Sequence, residues 1–307
     1  MRGLMVLFWM CGVSLAQQQV DKFTQQEKPE KSNSVAKVKL IGTTVTDVLY
    51  ASVGDHQLLL DLYLPRQPAG SPLLVWIHGG GWYQNNKSKV FLSWLSNYGI
   101  TVASINYRLV DIAKWPAQLH DCKGAVRWLR ANARQYGYDA ERIVVAGASA
   151  GGHLAALMGT TGDVVELEGD VGGNLHYSSR VQAVVDYYGA TDFVLRSKTQ
   201  PSRANKKGSV VYNLLGGAAD ELTEVARQAS ARYHVTSDDP PFLVFHGKKD
   251  KTVLIDQSEA IDKAYKEAGL PLTFHRIAKG AHGGFVFYSG RNAKRLYLFV
   301  KQHVSTE

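Results

Sequence analysis

Arg142-Ile143-Val144-Val145-Ala146-Gly147-Ala148-Ser149-Ala150-Gly151-Gly152-His153-Leu154-Ala155-Ala156-Leu157-Met158 is the stretch that decides how this chain folds. Ile143 to Ala146 is a short apolar run of the kind buried on both faces of a parallel sheet. Gly147-Ala148-Ser149-Ala150-Gly151 follows, and the small residues from about Gly152 to Thr160 read as a helix. Strand, G-x-S-x-G and helix in that order make a nucleophile elbow. A turn this sharp holds the serine in a strained backbone and lifts its hydroxyl above the sheet edge. Side chains two residues to either side would run into neighbouring backbone, which calls for Gly147 and Gly151. The helix N-terminus beneath Ser149 would aim free N–H groups and the positive end of its dipole at an oxyanion formed there.

Outward from the elbow the pattern alternates strands with helices. Val45 to Leu49 and Leu58 to Leu64 read as two antiparallel strands joined near Gly54-Asp55, and Pro65 ends the second. Leu73 to Ile77 is a buried strand running straight into His78-Gly79-Gly80-Gly81-Trp82. A helix is predicted from Lys89 to Asn97 and a strand from Ile100 to Ile105. Pro116 sits at the first turn of a long helix reaching Gln135, on which Leu119, Cys122, Val126 and Leu129 share the buried face. Cys122 is thus expected to be a packed thiol. Gly162 to Ser179 reads as an excursion over the surface, and Val181 to Tyr188 as a strand. Residues 192–239 carry no strand pattern; a basic loop, Arg196 to Lys207, leads into a helix lined by Leu222, Val225, Ala226 and Ala229. Pro241 to Phe245 resumes the sheet, Gln257 to Ala268 is a helix closed by Gly269, Thr273 to Ile277 is the last strand, and a final helix starts near Arg291. The expectation is an α/β chain with a mainly parallel, doubly wound sheet, helices on both faces and a small cap-like insertion at 192–239.

At 307 residues, with 45% hydrophobic and 20% charged positions, the chain can bury one large core. Residues 1–16 read as a secretory signal: Arg2 supplies the positive end, Leu4 to Leu15 the apolar run, and Ser14-Leu15-Ala16 the small-x-small cleavage site. A retained membrane anchor is the alternative for the same segment. Cleavage would start the mature chain at Gln17, leave Cys122 as the single cysteine, and put the protein outside the cytoplasm, secreted or periplasmic. Residues 17–40 are largely a Gln-, Lys- and Glu-rich flexible leader, and 41–307 form the folded domain. Beyond the signal no run approaches the roughly 18 apolar residues of a membrane span, so no stable membrane insertion is expected after cleavage. The net charge is +8. Its lysines are scattered, without an aromatic-basic stripe or a nucleic-acid motif, so nucleic acid is not an expected partner.

Acyl transfer needs a nucleophile, a base, a group that orients the base, and donors for the oxyanion. Ser149 is the first. His282, in Gly280-Ala281-His282-Gly283-Gly284, lies just past the last strand, and Asp250, in His246-Gly247-Lys248-Lys249-Asp250, just past the one before. Asp256 is the rival carboxylate, read as a helix N-cap. The three glycines Gly79, Gly80 and Gly81 let the backbone turn its N–H groups towards the reacting carbon, with Ala150 N–H as a further donor. Trp82 and Tyr83 are candidate pocket residues. His78 is expected to pin the glycine loop, and His153, His246, Asp121 and Arg127 to be structural. No phosphate loop or zinc spacing is present, so no cofactor or metal is implied.

These motifs resemble the α/β-hydrolase superfamily. More narrowly, they are similar to carboxylesterases with an HGGG oxyanion loop, the hormone-sensitive-lipase-like group and its acetyl-xylan and feruloyl esterase relatives. The likeness spans about Val45 to Val304 and rests on His78 to Trp82, Tyr107-Arg108, Gly147 to His153, His246-Gly247 with Asp250, and Gly280 to Gly283. It implies Ser149, Asp250 and His282 as triad, Gly80, Gly81 and Ala150 as oxyanion hole, and a small-molecule or polysaccharide-linked ester as substrate. The lipase-like enzymes carry an N-terminal helical cap; here a polar leader runs into the first strand, which leaves the acyl pocket to residues 192–239 and favours the polysaccharide-ester relatives. The expected activity is that of a secreted serine esterase for short or aromatic acyl esters. Amide cleavage on the same scaffold and an inactive binding module are the alternatives.

Overall fold

The computed structural model describes residues 39–304; the proposed signal and nearly all of the proposed leader lie outside them. Eight strands form one sheet: β1 (Thr43–Val53), β2 (His56–Leu64), β3 (Ser71–Ile77), β4 (Thr101–Ile105), β5 (Tyr138–Ala148), β6 (Ala183–Tyr187), β7 (Phe242–Gly247) and β8 (Leu272–Ile277), in the order β1-β2-β4-β3-β5-β6-β7-β8. The β1–β2 hairpin joins β4 antiparallel; every other pairing is parallel. Parallel strands need crossovers, and the long helices in them are α1 (Ala117–Tyr136), α2 (Ala150–Thr160) and α7 (Asp256–Glu267); α8 (Gly290–Val304) follows the last strand.

The central strands read as unbroken apolar runs because both faces are covered. Leu73, Val75, Ile77, Ile143 and Val145 point towards Leu119, Val126, Leu129, Leu154 and Leu157 of α1 and α2. Leu74, Trp76, Val144 and Ala146 point the other way, towards Leu92, Leu95 and, on α8, Leu296 and Val300. Cys122 is buried in the first of these cores, as the α1 periodicity requires.

Several elements differ from their predicted form. Lys89 to Asn97 is not an α-helix; only a 3₁₀ turn at Ser93–Tyr98 forms, ended by Gly99 in the left-handed region at φ 80°. Lys89 O is taken by Trp76 Nε1 at 2.8 Å, and Leu92 and Leu95 plug the sheet instead of lying along a helix face. Pro116 caps α1 rather than opening its first turn. The segment from Gly162 to Ser179 stays outside the sheet but is anchored, not loosely draped: Glu168 takes Lys123 Nζ at 3.0 Å and also the Arg127 guanidinium. Asp121 pairs instead with Arg108 at 2.7 Å. Asp256 is the first residue of α7 and not its cap, which is Ile255.

Residues 192–239 fold as four short helices and a 3₁₀ turn: α3 (Phe193–Thr199), α4 (Pro201–Ala204), α5 (Val210–Leu215), α6 (Thr223–Gln228) and Ala231–His234. Asp192 caps α3, accepting from Leu195 N at 2.8 Å. The predicted basic loop is therefore largely helical, and Arg196 within it is buried. Trp115 fastens this roof to the body, its N–H donating to Leu214 O at 3.0 Å and its Nε1–H to Gln228 Oε1 at 2.9 Å.

Candidate active site

Ser149 stands between β5 and α2 at φ 56°, ψ −114°, a conformation rarely adopted by a residue with a side chain. Two close approaches enforce it. A Cβ on Gly151 would sit inside the Ile77 carbonyl oxygen, and one on Gly147 inside the carbonyl of Gly151. Ser149 N–H donates to Tyr187 O at 2.8 Å, which fixes the turn to β6.

His282, after β8, and Asp250, after β7, converge on this serine. His282 Nε2 lies 2.8 Å from Ser149 Oγ and His282 Nδ1 lies 2.7 Å from Asp250 Oδ2. A carboxylate can only accept, so Nδ1 carries the hydrogen and Nε2 offers its lone pair to the serine. Asp250 Oδ1 takes the N–H groups of Thr252 and Val253 at 2.8 and 3.0 Å. Burial pushes the Asp250 carboxyl up, but hydrogen bonds from His246, His282 and Val253 N–H, with the attraction of His282, outweigh it. They hold the group well below the usual carboxylate range.

His246 has more than a strand-end role. Its Nε2 lies 2.9 Å from Val253 O and 3.3 Å from Asp250 Oδ2, and its Nδ1 lies 2.7 Å from Ser258 Oγ. It braces the Asp250 loop from behind. Tyr188, unlike His246, is not singled out by the sequence; its ring meets His282 edge-on at 4.8 Å, and its hydroxyl bonds that of Tyr288. The adjacency of His246 to the Asp250 turn was the available signal for the first, and for Tyr188 there was none.

The glycine loop after β3 faces the same point. Gly80 and Gly81 have φ of 123° and 60°, and Gly80 O accepts the N–H groups of Tyr83 and Gln84, both at 3.2 Å. Among the described residues neither Gly80 N–H nor Gly81 N–H has a protein acceptor. Ala150 opens α2, where a helix leaves its first amides without an intrahelical carbonyl. His78 Nδ1 meets Gly79 O at 2.8 Å, and its ring stacks on Tyr107 at 4.3 Å. Burial lowers His78 to about 4, so it stays neutral and structural. His153 is similarly lowered to about 4 by burial and bonds Ala229 O at 2.8 Å.

Ser149, His282, Gly80, Gly81 and Ala150 border one cavity of about 320 Å³. Trp82 and Tyr83 also line it, in different ways. Trp82 is 2% exposed and packed edge-on to His153 at 5.1 Å and Phe193 at 5.8 Å, so it is mostly wall material. Tyr83 is 50% exposed and free to meet a ligand.

A mainly parallel eight-stranded sheet with a serine elbow after β5 and a histidine loop after β8 defines an α/β hydrolase. Residues 60–265 match the BD-FAE family, and the chain belongs to it. Esterase LipC of Mycobacterium tuberculosis is 33% identical over 266 residues, 83% of this chain and 64% of that protein. The chain spans 52–64% of the length of the first three curated relatives it matches. Among solved structures, a truncated carbohydrate esterase from gut microbiota superposes with a TM-score of 0.78 at 31% identity, covering 86% of this chain and 97% of that one. A bifunctional GH43-CE protein of Bacteroides eggerthii gives 0.76 at 34% identity, covering 85% of this chain and 38% of the other.

Proposed function

We propose that the protein is an exported serine carboxylesterase that hydrolyses esters of short or aromatic acids, including acetyl or feruloyl esters carried on polysaccharides. The observation that carries this reading is the continuous line of hydrogen bonds from Asp250 Oδ2 through His282 to Ser149 Oγ, at 2.7 and 2.8 Å. It is supported by the family and by relatives named as esterases and carbohydrate esterases.

In this mechanism His282 Nε2 takes the Ser149 proton as Oγ attacks the ester carbonyl. The oxyanion that forms is met by the N–H groups of Gly80, Gly81 and Ala150. Asp250 stabilises the imidazolium, which then protonates the departing alcohol oxygen. Water next gives a proton to His282 Nε2 and attacks the acyl-serine, which collapses to the free acid as His282 returns that proton to Ser149 Oγ. A rigid loop and a helix N-terminus suit this task, since their donors need no reorganisation as charge develops.

The test is labelling by a fluorophosphonate probe, which should modify wild-type protein at Ser149 and leave Ser149→Ala untouched. It is paired with a panel of p-nitrophenyl esters from acetate to laurate, methyl ferulate and acetylated xylan. Labelling elsewhere, or a Ser149→Ala variant that keeps a tenth of the activity, would remove Ser149 from the mechanism. Export is tested by sequencing the mature N-terminus, expected at Gln17; a retained Met1 would leave residues 1–16 as an anchor.

A further inference from the structure

Arg196 is a buried cation in an unusual position. It lies on α3 and is 2% exposed. Its Nη2 donates to Thr252 O at 2.8 Å, while Nε has no partner among the described residues. A guanidinium taken out of water ordinarily brings a carboxylate with it, because an unpaired buried charge is costly. The other two buried arginines do so: Arg127 pairs with Glu168, and Arg130 with Glu141 at 3.2 Å. Arg196 has no such neighbour within ion-pair distance among the described residues, and neither does Arg203 on α4.

The two arginines are close enough to act on each other. Burial lowers Arg196 to about 10 and the Arg203 charge pushes the same way, against a weaker pull from Asp250 and Asp256. Arg196 is still cationic at neutral pH. Both side chains, with Lys89, border the cavity in front of Ser149, and no aspartate or glutamate lines it. The wall under α3 and α4 is thus a pair of cations with no carboxylate in ion-pair contact among the described residues, beside the point where an ester would react.

We propose that Arg196 and Arg203 form an anion subsite, and that the preferred substrate is an ester carrying a carboxylate or sulfate on the portion lodged against α3 and α4. The inference rests on the esterase reading of the same cavity. A planar guanidinium matches either anion through two parallel hydrogen bonds, and a partly desolvated one gains most from a charged partner. Among polysaccharide esters such a wall selects chains with acidic sugars over neutral ones.

Three measurements test this. First, binding of benzoate, benzenesulfonate and neutral benzamide to wild-type protein is read as a thermal shift, which requires no turnover. Either anion should bind at least tenfold more tightly than benzamide and lose that advantage as salt is raised, and whichever of the two binds better identifies the anion. Second, the ratio of kcat/KM for 4-acetoxybenzoate or 4-acetoxybenzenesulfonate to that for 4-acetoxybenzamide is measured in wild type, Arg196→Gln and Arg203→Gln. The ratio should fall at least tenfold in both variants if the subsite takes the alcohol portion, and the hemisuccinate-to-butyrate ratio should fall instead if it takes the acyl portion. Because Arg203 is exposed, its variant reports even if Arg196→Gln fails to fold. Third, p-nitrophenyl hemisuccinate against p-nitrophenyl butyrate places the anion on the acyl side or, by elimination, on the alcohol side. Equal binding of anions and benzamide, or an Arg203→Gln variant in which neither the acetoxybenzoate ratio nor the hemisuccinate-to-butyrate ratio falls, overturns the subsite. Absence of any ester turnover with no probe labelling at Ser149 would instead sink the esterase reading.

Discussion

Replacing Asp250 with asparagine exchanges one oxygen for an amide nitrogen and, by doing so, relocates a hydrogen two bonds further along the site. Oδ1 takes two backbone N–H groups, from Thr252 and Val253. The variant amide must keep its oxygen there, since its NH₂ group would otherwise face two donors. The NH₂ therefore falls where Oδ2 was, 2.7 Å from His282 Nδ1. A donor at that place makes Nδ1 an acceptor and sends the ring hydrogen to Nε2, which then points at Ser149 Oγ from 2.8 Å. Nε2 can no longer receive the serine proton. The expected loss is on the order of 10⁴ in kcat near neutral pH, the scale seen when a triad histidine is held in the wrong tautomer. That is about 5 kcal/mol of barrier. The assay is kcat and KM for p-nitrophenyl acetate, with circular dichroism to show that the variant is folded. Asp256→Asn is the control: this side chain stands at the start of α7, 3.4 Å from Gln257 Nε2, and its variant should stay within about threefold of wild type. If Asp250→Asn kept more than a tenth of the rate while Asp256→Asn lost it, the acid would be the wrong residue.

Three further outcomes are expected. Gly80→Ala places a Cβ against the Gln84 carbonyl at a φ of 123°, so the donors shift; the barrier should rise by roughly 2 to 4 kcal/mol through kcat, and a change confined to KM would make the loop a ground-state contact. Burial raises Asp186 to about 6, against the hydrogen bond from Gly189 N–H at 2.8 Å and the attraction of His246. Between pH about 4 and 6 the folded protein keeps a proton that the unfolded chain has released, so this residue's contribution to stability falls as pH rises, by on the order of 3 kcal/mol in full. Asp186→Asn should therefore be more stabilising, relative to wild type, at pH 7 than at pH 4.5 in denaturant titrations; an equal difference at both pH values would show that Asp186 does not titrate there. Cys122 is fully buried and its thiol is pushed well up by that burial, so its peptide should resist iodoacetamide in native protein and react only after denaturation. Labelling within minutes of mixing would contradict the packing.

The parts of the fold legible in the sequence are those whose cause is local. The central strands announce themselves because two covered faces demand uninterrupted apolar residues, and the elbow does so because Gly147 and Gly151 meet backbone at the next turn. Ser149, His282 and Asp250 could be named because each follows a recognisable strand end, although 133 and 32 positions separate the bonded pairs. What was not legible depends on distant partners. Val90, Phe91, Trp94 and Leu95 have the spacing of a helix face, but sheet contacts and the Trp76 bond to Lys89 O prevent one. The sequence marks Arg196 only as the start of a basic loop; the docking of α3 onto the loop after β7 is what makes it interior. The bond of His246 to the Asp250 loop likewise depends on a turn whose course the sequence does not specify.

Roof and trigger share one hinge pin in this protein. Arg196 Nη2 donates to Thr252 O at 2.8 Å, and Gln200, the residue that caps α3, reaches Lys251 O at 3.3 Å and Leu254 N at 3.4 Å, so helix α3 and its cap grip the very loop that presents Asp250. Swinging the roof upward would drag that loop and break the alignment of carboxylate, imidazole and hydroxyl. The alignment at Ser149 thus depends on α3 staying docked. An ester on its way to Ser149 must accordingly pass the open side of the cavity, where Tyr83 stands half-exposed, because raising the ceiling would disarm the chemistry it came for.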